Sequence, residues 1–273
     1  MSEAEEYSNK QNKSWILSLR ILFDTGHLRG CIGERLVDLY IHDELIPLLK
    51  KKEEWTDILY IKAWYHEQRS LPPFDEFRSS EARKELWESM NMRTKVAEEE
   101  EARLLIVNGF YPTKGFLEYF RKLTASLSHR ADGFLIKMKG TGTFRTANEA
   151  IKNYLSVTND YIKTTMKKDD DFTNKAEVIN YFGWKKLQKD KMLPEVNGEI
   201  EVIEVKTGSK EGVSGQTSSY RNAAANGFPL RFFHVDLNSF LIKEKLIANP
   251  NEITSNCFKD SKNVNIIKVS FHF

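Results

Sequence analysis

The pattern of apolar and polar positions is sharpest over Gly198–Gly208, which reads Gly-Glu-Ile-Glu-Val-Ile-Glu-Val-Lys-Thr-Gly. Its Val and Ile content, and the Asn197-Gly198 and Thr207-Gly208 pairs that bound it, predict one strand. Side chains alternate across a strand. Ile200, Val202, Glu204 and Lys206 therefore share one face, and Glu201, Ile203 and Val205 share the other. An acid and a lysine come to lie side by side at the C-terminal end of an otherwise apolar face. Charged side chains are seldom buried unless they are paired or bind a metal. The pair is therefore either a solvated end of a surface strand or part of a site.

The same reading along the chain predicts further elements. Residues 1–13 are a polar, acidic tail, and Ser14–Phe23 is apolar enough for a short helix. Gly30-Cys31-Ile32-Gly33-Glu34 opens a second helix, with Leu36, Leu39 and Tyr40 at helical spacing and Pro47 near its end. Glu34 then falls in the first turn, where the helix dipole favours a carboxylate. The two glycines beside it also permit close backbone approach. The run Ile58–Ile61 predicts a strand, and residues 65–101 a charged, mostly helical stretch broken at Leu71-Pro72-Pro73. The acidic run Glu98–Glu101 opens a helix that stops at Asn108-Gly109, and Phe116–Leu127 is a further amphipathic helix. Ala131–Met138 predicts a second strand with Asp132 at its beginning; Asp132-Gly133 by itself reads as a turn.

Residues 140–198 read as an insertion, with helices over Thr146–Lys168 and about Lys175–Leu187. Lys185, Lys186, Lys189 and Lys191 form its densest positive cluster, a solvated helix face or a phosphate contact. Ser214–Asn226 predicts a helix on which Gln216 and Tyr220, four apart, point the same way. Leu230–Val235 predicts a strand, Asn238–Ile247 a helix, and Ile267, Val269, Phe271 and Phe273 alternate as a terminal strand.

Composition narrows the class. The 273 residues are 40% hydrophobic and 29% charged, as in a globular protein with a sizeable core. No run reaches the length of a membrane span, and the N-terminal residues lack the apolar core of an export signal, so a cytoplasmic protein is expected. Two cysteines, Cys31 and Cys257, are too few for a thiolate metal centre. A net charge of +2 carries no global nucleic-acid signature, although a groove can concentrate charge that the sum hides.

The ordered set of a helix acid, Asp132 on one strand, Glu204-Val-Lys206 on the next, and then Gln216-x-x-x-Tyr220 on a helix resembles the PD-(D/E)xK nuclease superfamily. The glutamine–tyrosine pair resembles its RecB-like and Holliday-junction-resolvase-like branches. Ala131 stands where that family more often has proline, and the Asp132–Glu204 gap is longer than usual. The resemblance implies an α/β, restriction-endonuclease-like fold: a mixed central sheet flanked by helices, with a largely helical region over 14–130 and a nuclease core over 131–273 that carries the helical insertion. It implies Asp132, Glu204 and Glu34 as ligands of Mg2+ or Mn2+, Lys206 as the catalytic lysine, and Gln216 and Tyr220 as substrate-binding residues. Glu100 or Glu101 competes with Glu34 for the role of helix acid. DNA is the implied partner, and a homodimer would suit the cutting of two strands. Oxygen ligands favour magnesium or manganese over softer metals. A lysine ammonium can steady charge that grows on a phosphate under attack.

Overall fold

In the computed structural model the described residues are 26–53, 55–62, 100–128, 131–140, 143–147, 149–151, 184–185, 187–193, 195, 197–208, 211–213, 215–259 and 263–269. The expected tail, the Ser14–Phe23 helix, the 65–99 stretch and most of the expected insertion helices lie outside them.

Six strands form one mixed sheet in sequence order: β1 (Asp57–Lys62), β2 (Gly133–Lys139), β3 (Asn197–Thr207), β4 (Leu230–Asp236), β5 (Leu241–Ile247) and β6 (Asn265–Lys268). All neighbours are antiparallel except β3 and β4. That parallel pair needs a crossover, which contains α5 (Thr217–Ala225). Helices cover both faces. On one face, α1 (Gly26–Tyr40) and, beyond a π-helical turn over Ile41–Leu45, α2 (Ile46–Glu53) pack Val37, Ile41 and Leu49 against Leu135, Ile203 and Phe233. On the other, α3 (Glu100–Val107), α4 (Lys114–Ser126) and α5 pack Leu105, Phe120 and Tyr220 against Phe134, Val202 and Phe232. The protein is a mixed α/β structure of three layers.

The alternation read in β3 holds: Ile200 and Val202 enter the α3–α5 side of the core, and Ile203 and Val205 the α1 side. Three expectations change. Asn238–Ile247 is not a helix: Leu241–Ile247 is a strand inserted between β4 and β6. Its alternation was disguised by charge, because Glu244 is buried among partners. Leu39 is exposed, since Leu36, Val37 and Tyr40 already form the buried stripe of α1. Glu34 is not in a first turn, because α1 begins at Gly26 and its first turn has no acid.

Both ends of the 140–198 stretch belong to the main core. Phe144, Ala147, Ile151, Trp184, Leu187 and Leu193 are buried in it, and the Trp184 indole donates to the Pro112 carbonyl at 2.6 Å.

Charge is buried on the α1 face as well. Arg231 pairs with Glu201 and Glu244, Lys137 reaches Glu201 at 2.7 Å, and the Tyr40 hydroxyl donates to Glu244 at 2.9 Å. Two cations balance two carboxylates, which is the condition under which such groups tolerate burial.

Candidate functional site

The end of the sheet where β2 begins and β3 finishes gathers the charged residues. Asp132 immediately precedes β2, where its backbone N–H donates to the Ile203 carbonyl at 3.0 Å. Its carboxylate Oδ2 accepts from the Val205 backbone N–H at 2.7 Å. This bond fixes the acid against β3, where it and Glu204 act on each other's ionisation. Glu204 is 1% exposed, on the same face as Val202 and above the helical layer. Two side chains hold it: the Lys206 ammonium pairs with Oε1, and the Tyr220 hydroxyl from the first turns of α5 donates to Oε2.

These surroundings shift the titration of the acids. Burial and the nearby Asp132 push Glu204 from the usual 4.5 up to about 8, against the opposing pull of Lys206 and Tyr220. Asp132 is also raised, by desolvation of its carboxyl, with Val205 N–H and Lys206 working the other way. Burial and Glu204 push the Tyr220 hydroxyl well up. Two carboxyls this close in a dry pocket cannot both ionise easily, so the pair retains a proton near neutral pH.

The sheet and α5 thus bring together Asp132, Glu204, Lys206 and Tyr220. Tyr220 is fully buried and reaches Glu204, which makes it a support of the acid and not a wall of an open pocket. Gln216 precedes α5, partly exposed, and its Oε1 is buried without a hydrogen-bond partner.

Glu34 lies in the middle of α1. The next residue back, Gly33, packs so closely on β3 that a Cβ there would sit 1.9 Å from Thr207 Cγ2. Glu34 and Asp132 both act electrostatically on Tyr60, so α1 delivers Glu34 to the same end of the sheet. It does not join the acid pair as a third member: among the described residues no three His, Cys, Asp or Glu side chains converge closely enough to hold one ion. Glu101 is engaged elsewhere, accepting from Thr124 at 3.1 Å beside Arg121 at 3.6 Å. Lys185, Lys189 and Lys191 lie on the stretch that leads into β3, and Lys185 rests over the Trp184 ring at 4.9 Å.

The sequence did not point to four ionisable neighbours. Asp38, 2% exposed, accepts from Tyr60 at 2.9 Å and pairs with Lys62. His234 and Lys243 lie beside Lys206 on neighbouring strands. Asp38 carried a signal, as an acid on the apolar stripe of α1. Lys243 was hidden by the helical reading of its strand.

Cys31 is exposed and Cys257 buried. Among the described residues no helix is long and apolar enough to cross a membrane. The chain matches no family model, no curated protein and no solved structure.

Proposed function

We propose that this protein is a divalent-metal-dependent nuclease that hydrolyses DNA phosphodiester bonds, on a restriction-endonuclease-like sheet. The observation that supports this most directly is the meeting of Asp132, just before β2, and Glu204 on β3, which are separated in sequence by the whole 140–198 stretch. They lie close enough to act on each other's ionisation, on the face that also presents Lys206.

The residues suit a hard cation. Asp132 and Glu204 offer only oxygen donors, and both cling to protons because burial desolvates them and, at Glu204, because the neighbouring acid repels a second charge. They would hold Mg2+ or Mn2+, which supplies charge neutralisation and an acidified water when bound. Glu34, approaching from α1, is the further acid nearest to them in role. The chain's own work is then to position and to screen. Val205 N–H orients Asp132, and Tyr220 orients Glu204. Lys206, about a quarter exposed, is the member of the group that can turn outward. Its ammonium would leave Glu204 for the oxygens of a phosphate, steadying charge that grows there during attack.

The ion pair between Glu204 and Lys206, tied down by Tyr220, also favours a second reading: a nuclease-like scaffold that binds nucleic acid without cutting it. One experiment separates the two. Purified protein is incubated with linear, supercoiled and branched DNA in magnesium, manganese or EDTA, beside Glu204→Ala and Lys206→Ala whose folding is verified by circular dichroism. Metal-dependent cutting lost in both variants is the expected result. Binding without cutting in any metal would select the inactive scaffold. Neither binding nor cutting would point to a protein partner.

A further inference from the structure

Three side chains form a row across the sheet beside the acid pair. In the strand register Lys206 of β3 is opposite His234 of β4, and His234 is opposite Lys243 of β5. All three lie on the face that carries Glu204. His234 and Lys243 both flank the Phe258 ring, at 6.4 and 5.9 Å, and Phe258 packs on Phe232 of the same face. The two lysines keep access to solvent, their side chains 28% and 33% exposed.

His234 between them is buried. Its ring nitrogen Nε2 lies 2.6 Å from the Gly208 carbonyl and donates to it. Gly208 has φ +92, a conformation that glycine adopts without strain, so this bond holds the turn directly after Lys206. Nδ1 is buried without a hydrogen-bond partner.

We propose that Lys206 and Lys243, with the buried His234 between them holding the turn after β3, form a track for the backbone of a nucleic-acid strand, with Lys243 contacting a phosphate that flanks the cut position. This rests on the nuclease reading and gives the substrate strand a direction, across β4 towards β5. Neighbouring strands are about 4.8 Å apart, so the backbones of Lys206 and Lys243 are about 10 Å apart. A nucleic-acid strand carries one charge per about 3.4 Å of its axis. The two ammonium groups therefore match phosphates about two or three positions apart, a span that a small anion cannot bridge.

The acids near the row are accounted for. Glu211 pairs with Lys243, which holds its carboxyl below the usual range. Both partners are about a third exposed, and ion pairs so exposed exchange readily, so a phosphate can replace Glu211 at Lys243. Asp236, beyond His234, accepts from Ser239 and the Asn238 N–H.

The test is binding of fluorescent single-stranded and duplex oligonucleotides in EDTA, where no cutting occurs, over a series of potassium chloride concentrations. Lys243→Gln should weaken binding, and the slope of log affinity against log salt should shrink by about 0.7 for single strands or about 0.9 for duplex. Lys243→Arg should keep the wild-type slope. Lys50→Gln, an exposed site on α2 across the sheet, should change nothing. If the wild type binds and Lys243→Gln leaves the slope intact, the track is wrong while the nuclease reading stands. If Lys243→Gln and Lys243→Arg shrink the slope alike, the lysine acts through packing on Phe258 and the track is again wrong. If the wild type binds neither oligonucleotide, the track is wrong, and the nuclease reading is decided by the cutting assay in metal.

Discussion

Glu204→Gln isolates the cost of ionising the buried acid. Glutamine keeps the shape of the side chain and an acceptor for Tyr220, but it carries no titrating proton. The folded protein holds the Glu204 proton up to about pH 8, whereas the unfolded chain releases it near 4.5. Between those values the native state binds more protons than the unfolded state, so stability falls as pH rises. The contribution is fully present below 4.5 and gone above about 8. At about 1.4 kcal/mol per pH unit the span sets a ceiling of about 5 kcal/mol. Glu204 and Asp132 titrate as a pair, which spreads the proton and lowers the net effect to about 2–4 kcal/mol. At about pH 5 the variant should therefore match the wild type, and at about pH 9 it should be more stable by that amount. For a chain of this size the difference corresponds to a midpoint about 4–7 °C higher. Thermal unfolding followed by circular dichroism in EDTA at several pH values reads it directly. Added magnesium should raise the wild-type midpoint and leave the variant unmoved, since a ligand stabilises only the state that binds it. A variant that tracks the wild type at every pH, or is less stable at high pH, would refute the account of the site as a dry, proton-retaining pair.

Two further outcomes test the frame around the site. Gly33→Ala places a methyl 1.9 Å from Thr207 Cγ2 and should cost about 1–3 kcal/mol in denaturant unfolding. Adding Thr207→Ser removes that atom, leaves the nearest contact at 3.4 Å and should restore most of the loss; failure to rescue would show that α1 is not seated by this contact. Arg231→Met leaves Glu201 and Glu244 buried with too little positive charge, and should destabilise the protein by about 3–5 kcal/mol at neutral pH. That loss should lessen in acid as the carboxyls take up protons; an equal loss at all pH values would assign the effect to packing alone.

The sequence by itself determined local matters at this site. Alternation assigned Glu204 and Lys206 to one face of β3 and Glu201 to the other, because the pleat imposes a period of two whatever the neighbours are. Asn108-Gly109 and Asn197-Gly198 marked boundaries, and Tyr220 was placed on a helix, whereas Gln216, read on the same helix, precedes it. What remained was decided by long-range packing. Whether Asp132 meets Glu204 depends on β2 pairing with β3 across a long intervening stretch, and nothing local to either residue encodes that register. Leu241–Ile247 read as a helix because Glu244 and Lys245 broke its alternation; the partners that let those charges be buried, Arg231 on one face and Glu252 on the other, come from different parts of the chain. The approach of Glu34 to the sheet's end likewise depends on Gly33 finding Thr207. The proton held by Glu204 belongs to no residue alone: burial and a second carboxylate create it, and both exist only once the sheet is assembled.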